Sequence, residues 1–345
     1  MTSEIGETEL VEIGIGVQSD KAPGRYAEVA ALAEEVGVDV VSVFSDLLFQ
    51  PALPALLEMA AVTSRVRLGV AGYNPFTMHP YEIAGQYAAL AARAPGRAYL
   101  GLVKGTWLTR IGLEQPRPLA HLEEAAGFIR ALLAADGVGY AGTVFTLSAG
   151  TCLDPSVPPQ PVPLMIGSWG PRGAALAGRV ADEIKVGGTA NPAMVRLTRD
   201  RVAVGEDAAG RPRGTVGVIA GAVTVVSRSR AEARALARRE VALYLDAIAA
   251  FDSTVELPDG LLATVAERLR DGDAEGAGSA IPDDVLDLFA FSGDPDDVAA
   301  QAQLLIDAGA SRVEFGTPHG PDEFEGITLL GRAVVPQLRR ARVRT

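Results

Sequence analysis

Short β-branched runs alternate with longer stretches whose apolar residues recur at helical spacing, and this rhythm persists along nearly the whole chain. Val11 to Val17 predicts a first strand, and Arg25 to Val36 a helix stopped by Gly37. Val38 to Phe44 predicts a second strand ending in the polar step Ser45–Asp46. Helix, strand, helix and strand follow at Ala52 to Thr63, Val66 to Ala71, His79 to Arg93 and Ala98 to Val103. After a helix over Arg117 to Ala135, the stretch Gly137 to Leu147 reads as a small hairpin. Leu164 to Gly167 and Glu183 to Gly187 predict two further strands, with helices from Pro171 to Val180 and from Pro192 to Val204. Val216 to Val226 predicts a long seventh strand and Ala231 to Phe251 a helix. Asp294 has the side chain of an N-cap, Pro295 suits the first turn, and the helix they begin runs to Ala308. Arg312 to Phe315 is the eighth strand and Asp322 to Arg340 the last helix.

Eight strands alternating with helices predict an α/β fold of the (β/α)8 TIM-barrel kind, although an open doubly wound sheet produces the same alternation. Residues 1–345 read as one barrel domain. Residues 252–290 break the rhythm and read as a helical insertion before the last barrel unit. Within it, Leu261, Leu262, Val265 and Leu269, then Val285, Leu286, Leu288 and Phe289, predict two short amphipathic helices with at least one buried apolar face. Such an insertion serves as a lid or an oligomer contact.

Composition narrows the class of partner. Of 345 residues, 48% are hydrophobic and 21% charged, which suits a globule with a large core. The net charge of −12 speaks against nucleic acid and anionic membranes as partners. Cys152 is the single cysteine, so no intrachain disulfide forms, and a reducing compartment is expected. Met1 to Leu10 is polar and acidic, without the pattern of a secretory leader, and no apolar run reaches membrane-spanning length. These features predict a cytoplasmic protein.

Candidate chemistry gathers where strands end. The apolar run Leu164 to Ile166 leads into Gly167, Ser168, Trp169 and Gly170, then Pro171 at a helix start. This is either a tight strand-to-helix link or an anion cradle of backbone N–H groups at the positive end of a helix dipole. Asp46 ends strand 2, either as a turn cap or as an acid facing a substrate. Asn74–Pro75 follows strand 3 as a turn former or a donor, and Lys104, Gly105, Thr106 and Trp107 follow strand 4, where an aromatic walls a pocket or packs under a loop. Gly187 and Gly188 follow strand 6. His79 reads as a residue of a helix start and His121 as a solvated helix residue; with His319 they have no metal-ligand spacing, so no metal is expected.

Several motifs in order resemble the luciferase-like flavin and deazaflavin oxidoreductases. They are Gly37 to Asp46, Thr63 to Gly69, His79–Pro80 to Ala92 with Gly96–Arg97 and Leu100–Gly101, and Pro163 to Asp182 with its Pro-x-Pro, Gly-Pro and Ala-Gly-x-x-Ala-Asp pattern. Gly316 to Pro321 looks most like the methylenetetrahydromethanopterin reductase branch, which uses coenzyme F420. The resemblance implies a luciferase-like barrel with the cofactor at the C-terminal strand ends. It implies that Val70, Ala71 and Gly72 back the deazaflavin ring at a bulge with a non-proline cis peptide, and that Asn74 donates to a ring carbonyl. It implies that Gly167, Ser168, Trp169 and Gly170 hold the cofactor phosphate, with Gly187 and Gly188 as a second edge. Thr317 and His319 add donors, and Arg172 either meets the acidic tail or stands as an exposed helix charge. Asp46, Thr106 and Trp107 are the catalytic candidates, and a homodimer is expected.

The chain departs from the family at its proton donors. Leu47 stands where the sugar-phosphate dehydrogenases carry His, Thr106 where they carry Glu, and Gly16–Val17–Gln18 where the pterin reductases carry Glu. The expected activity is hydride transfer between F420 and a C=N or C=C bond of a small-molecule substrate. The alternatives are an FMN-dependent monooxygenase and a non-catalytic ligand-binding member.

Overall fold

The computed structural model describes residues 11–154 and 156–341, so the polar opening Met1 to Leu10 lies outside the described residues. The strands are β1 Glu12–Val17, β2 Val40–Val43, β3 Arg67–Tyr73, β4 Ala98–Val103, β5 Tyr140–Ala141, β6 Thr146–Leu147, β7 Leu164–Gly167, β8 Glu183–Gly187, β9 Gly217–Val226, β10 Ala290–Gly293 and β11 Arg312–His319. Eight of them run parallel in the order β1-β2-β3-β4-β7-β8-β9-β11, and β11 pairs with β1. The sheet therefore closes into a barrel, which excludes the open doubly wound alternative. The short β5–β6 hairpin stands apart from it. Glu124 ties the hairpin to helix Pro118–Ala134, its carboxylate accepting from Val144 N (2.6 Å), Phe145 N (3.0 Å) and Thr143 Oγ1 (2.7 Å).

The core wraps the barrel. Side chains such as Ile15, Val41, Leu68, Leu100 and Val313 meet the apolar faces of the surrounding helices. The strands read as near-continuous apolar runs because both faces are covered.

Several elements differ from the periodicity, among them β11, which runs past Phe315 to His319. β9 outruns β8, which pairs only Gly217 to Gly221, and β10 covers the edge left free beyond, in register from Ala290–Val223 to Gly293–Val226. Four residues ending in Gly carry too little pattern to announce a strand. The helix predicted over Ala231 to Phe251 is two, Arg230–Ala242 and Leu245–Ala249, broken at Leu243–Tyr244. The stretch 252–290 forms three helices instead of two, Leu261–Arg270, Ala274–Ser279 and Asp283–Phe289. Leu261, Val265, Val285, Leu286 and Phe289 are buried against Val223, Val225, Ala237 and Val241, in a second core beside the end of β9. Leu262 stays partly exposed. Arg234 bonds Asp287 (2.7 Å) and Asp283 (2.9 Å), fastening Asp283–Phe289 to helix Arg230–Ala242.

Candidate active site

Alternate residues of each barrel strand point inward, and they form tiers along the axis. The lowest tier is charged. Arg67 pairs with Glu12 (2.6 Å) and Glu183 (3.3 Å), and Arg312, wholly buried, pairs with Glu183 and with Glu12 (3.3 Å). The guanidinium of Arg312 lies 5.2 Å from the centre of the Tyr99 ring. Above it, Glu314 on β11 accepts from Ser42 Oγ on β2 and from Lys185 Nζ on β8, and the Tyr99 hydroxyl lies 2.6 Å from Ser42 Oγ. β2 and β8 are not neighbours of each other, so these bonds cross the barrel interior.

Of the next inward positions, Phe44 and Val103 carry full side chains, while Ala71, Gly167, Gly187, Gly221 and Gly316 carry almost none. A barrel of this kind usually fills its interior with stacked layers of bulky residues. Here most of the upper layer is missing, and a cavity of about 1480 Å³ opens at the C-terminal strand ends and descends to Lys185 and Glu314. Burial works against ionising Glu314, yet the Lys185 ammonium and the Arg312 guanidinium hold its carboxyl below the usual carboxylate range. The cavity floor is thus an ion pair, Lys185 with Glu314, and Lys185 Nζ also lies 4.9 Å from the centre of the Phe44 ring.

At the mouth, helix Pro171–Val180 begins without a side-chain cap, with Gly170 as its N-cap residue. Its first-turn N–H groups have no helical acceptor. Residues Ser168 to Gly173 border the cavity, so those donors and the positive dipole end serve it. A Cβ at residue 173 would overlap Ser168 Oγ, so glycine lets that hydroxyl sit against the helix start. Trp169 is pinned by Arg201, which donates to its carbonyl (2.7 Å), and its ring lies 6.2 Å from Phe251.

At the β3 exit the Ala71–Gly72 peptide is cis, and the pairing with β4 shifts between Val70 and Tyr73. Asn74 Oδ1 accepts from Thr77 N (2.9 Å) and Phe76 N (3.2 Å), so this residue builds the turn while bordering the cavity.

One cavity brings together residues that are far apart in the chain: Asp46, Ala71, Gly72, Asn74, Thr106 and Trp107 from the first half. From the second half it gathers Gly167, Ser168, Trp169, Gly170, Arg172, Gly187, Gly188 and Thr317. Asp46 accepts from Gln18 Nε2 (3.1 Å). Trp107 has a left-handed backbone (φ 59°) and is 49% exposed, with Arg110 5.5 Å from its ring centre, which makes it an outer wall. His79 caps helix Pro80–Arg93 by accepting from Tyr81 N (3.1 Å), and the ring of His121 stacks on Phe76 at 4.2 Å. Among the described residues no group of His, Cys, Asp and Glu is placed to hold a metal ion.

Two predicted residues fall outside the cavity. Val70 points outward into the helix-facing core, because strand alternation gives the inward place to Ala71. His319 is wholly buried. Its positive φ of 71° turns the ring into the protein, where Nε2 lies 3.2 Å from the Phe315 carbonyl and Nδ1 3.8 Å from Glu323 Oε1. Burial, with Lys21 nearby, pushes its pKa down to about 4 from an ordinary 6.5. The unfolded chain therefore binds a proton in that window that the folded chain refuses. The contribution of His319 to stability is complete above pH 6.5 and is lost as pH falls toward 4. Denaturation of the chain and of His319→Asn between pH 4 and 7 will show a shallower loss in the variant, since Asn tolerates positive φ and does not titrate.

Periodicity did not point to Lys185, Glu314 or Phe44, nor to the wall formed by Tyr244, Ala247, Ile248 and Phe251 beyond the helix break. A signal existed for the first two. Glu183–Ile184–Lys185 and Arg312–Val313–Glu314 put charges at alternate positions of strands that are otherwise apolar. Burial, then Glu240 and Asp46, raise the pKa of the Tyr244 hydroxyl, so it faces the cavity protonated.

The profile of the luciferase-like monooxygenase family matches residues 8–312. The chain is 29% identical over 318 residues to the 5,10-methylenetetrahydromethanopterin reductase of Archaeoglobus fulgidus, covering 89% of this chain and 94% of that one. It is 32% identical over 336 residues to the F420-dependent glucose-6-phosphate dehydrogenase of Kineococcus radiotolerans, covering 92% and 94%. Among solved structures, the coenzyme F420 dependent tetrahydromethanopterin reductase of Methanopyrus kandleri superposes with a TM-score of 0.85 at 24% identity, over 95% of this chain and 99% of that one. A barrel closed by eight parallel strands, a cavity at their C-terminal ends and a family match over most of its length together make the chain a member of the luciferase-like monooxygenase family.

Proposed function

We propose that the chain is a coenzyme F420-dependent oxidoreductase that transfers a hydride between the deazaflavin and a C=N or C=C bond of a small organic substrate. The observation that carries this reading is the convergence of an uncapped helix start and a glycine-walled shaft on one cavity. Small-molecule sites usually occupy ~300–1,000 Å³, so this cavity has room for a ring cofactor and a substrate together. The preference for F420 over FMN follows the relatives named for F420.

The residues suit such a group. Backbone N–H groups at Gly170 to Gly173 and the Ser168 hydroxyl would hold its phosphate. Arg172 and Lys104 stand at the mouth for an acidic tail, and Ala71–Gly72 would back the ring. Bound F420 would supply a carrier of two electrons as hydride. Tyr244, Ile248 and Phe251 wall one side and exclude water from the interior. Asp46, held by Gln18, orients the substrate at the mouth. Leu47, Thr106 and the stretch Gly16–Val17–Gln18 stand where the related branches carry their proton donors, which favours a substrate already activated, such as an iminium. In this reading residues 252–290 are an insertion in a single barrel domain, and the protein is a cytoplasmic homodimer. No described helix is long and apolar enough to cross a membrane.

Fluorescence titration of the protein with F420 and with FMN tests the cofactor. Saturable F420 binding with weak or no FMN binding is expected. Tight binding of FMN alone would favour a flavin monooxygenase, and binding of neither would favour a ligand-binding protein.

A further inference from the structure

The floor of the cavity holds a donor that the fold does not use. The Lys185 side chain is about nine-tenths buried, and an ammonium carries three N–H donors. Among the described residues one hydrogen-bond acceptor meets it, Glu314. The Phe44 ring centre lies 4.9 Å from Lys185 Nζ, and the polar groups bonded to or charged beside Glu314 are Ser42, which meets Tyr99, and Arg312, which pairs with Glu183. None of them takes a second bond from Lys185. Beyond the Phe44 ring, the cavity above it is walled largely by glycines, Gly187, Gly221, Gly316 and Gly167. A buried donor without a partner costs stability unless something in the cavity accepts from it.

The other cations at the cavity do not match this position. Lys21 is paired with Glu323 at 2.9 Å, while Lys104 and Arg172 stand exposed at the mouth. The glycine tier keeps the walls thin over the floor, which suits a planar group sliding in edge first. Resting on the F420 reading, we propose that Lys185 is a ring-contacting residue, its ammonium donating to the carbonyl-bearing edge of the deazaflavin, with Glu314 as the positioning residue that aims it. When substrate hydride reaches the ring, one substrate C–H bond breaks and one ring C–H bond forms. The ring then carries the added electron pair and one more unit of negative charge, and no proton passes through Lys185. A fixed cation at the carbonyl edge favours the more negative, reduced ring.

The test is equilibrium binding of oxidised and reduced F420 to the full-length protein, followed by absorbance and fluorescence, with no substrate present. Lys185→Met should weaken oxidised F420 by about 10- to 100-fold, the worth of a charged hydrogen bond, and reduced F420 by more. Lys185→Arg keeps the charge and should recover part of both. Glu314→Gln should weaken binding less than Lys185→Met. Removing Lys185 leaves Glu314 buried without its cation, so the double variant Lys185→Met/Glu314→Gln provides the same comparison if the single variant fails to fold. A folded variant lacking Lys185 that binds both forms as the unaltered protein does would overturn the contact. An equal loss for both forms would reduce Lys185 to a structural residue and overturn it as well. Failure of the unaltered protein to bind F420 would instead overturn the functional reading, and this inference with it.

Discussion

Leucine in place of Gly187 will lower the affinity for F420 by about 100-fold or more, some 2.7 kcal/mol, while the protein stays folded. Gly187 sits inward on β8, in register with Gly221 across the pair. A Cβ there meets only Lys185 Cε, at 3.8 Å, which is ordinary van der Waals contact. Its backbone is not in the left-handed region, so a side chain is accepted without strain. The leucine atoms then occupy the shaft directly above the Lys185–Glu314 pair, where the ring would lie. Stability should change by no more than ~0.5 kcal/mol, because nothing packed is displaced. Thermal denaturation and F420 titration of the same preparation separate the two effects, and Gly187→Ala should show a smaller loss in the same direction. Normal F420 binding by the folded leucine variant would remove the shaft from the binding site.

Removing Arg312 will produce the largest loss of stability. This side chain is wholly buried and stands among Glu183, Glu12 and Glu314. Breaking a buried pair by deleting one partner typically costs ~3–5 kcal/mol, and here Glu12 and Glu183 would be left to share Arg67 alone while Glu314 keeps Lys185. Arg312→Met keeps much of the volume, so its loss should fall in that range and come from the stranded carboxylates. Adding Glu183→Gln in the methionine background should recover part of it. Urea denaturation of the single and double variants checks this. A double variant no more stable than the single one would mean that packing, not charge, sets the cost.

Much of this protein was legible in one dimension. Strand alternation at Val11 to Val17 and helical spacing at Arg25 to Val36 report on burial, and burial repeats with the period of the element itself. The eight barrel strands were therefore placed to within a few residues. The strand-end turns also came through, since Gly170–Pro171 and Asn74–Pro75 carry local backbone requirements. Long-range geometry did not come through. Val70 and Ala71 are adjacent in sequence, and only the phase of β3 within the closed barrel turns one into the core and the other into the cavity. His319 has a positive φ, which turns it inward, away from the mouth where its neighbours stand. Four residues of β10 became a strand because the free end of β9 was there to pair with.

By itself the sequence determined the element order, the family and the cluster of small and polar residues at the strand ends. Those properties are local or are summed along the chain. Only the tertiary structure decided that Lys185, Glu314, Ser42 and Tyr99 meet, and that a largely glycine-walled cavity lies above them. Their meeting depends on closure of the barrel, which brings strands far apart in sequence onto one axis. No period or spacing within a single strand records which residues will face one another across that axis.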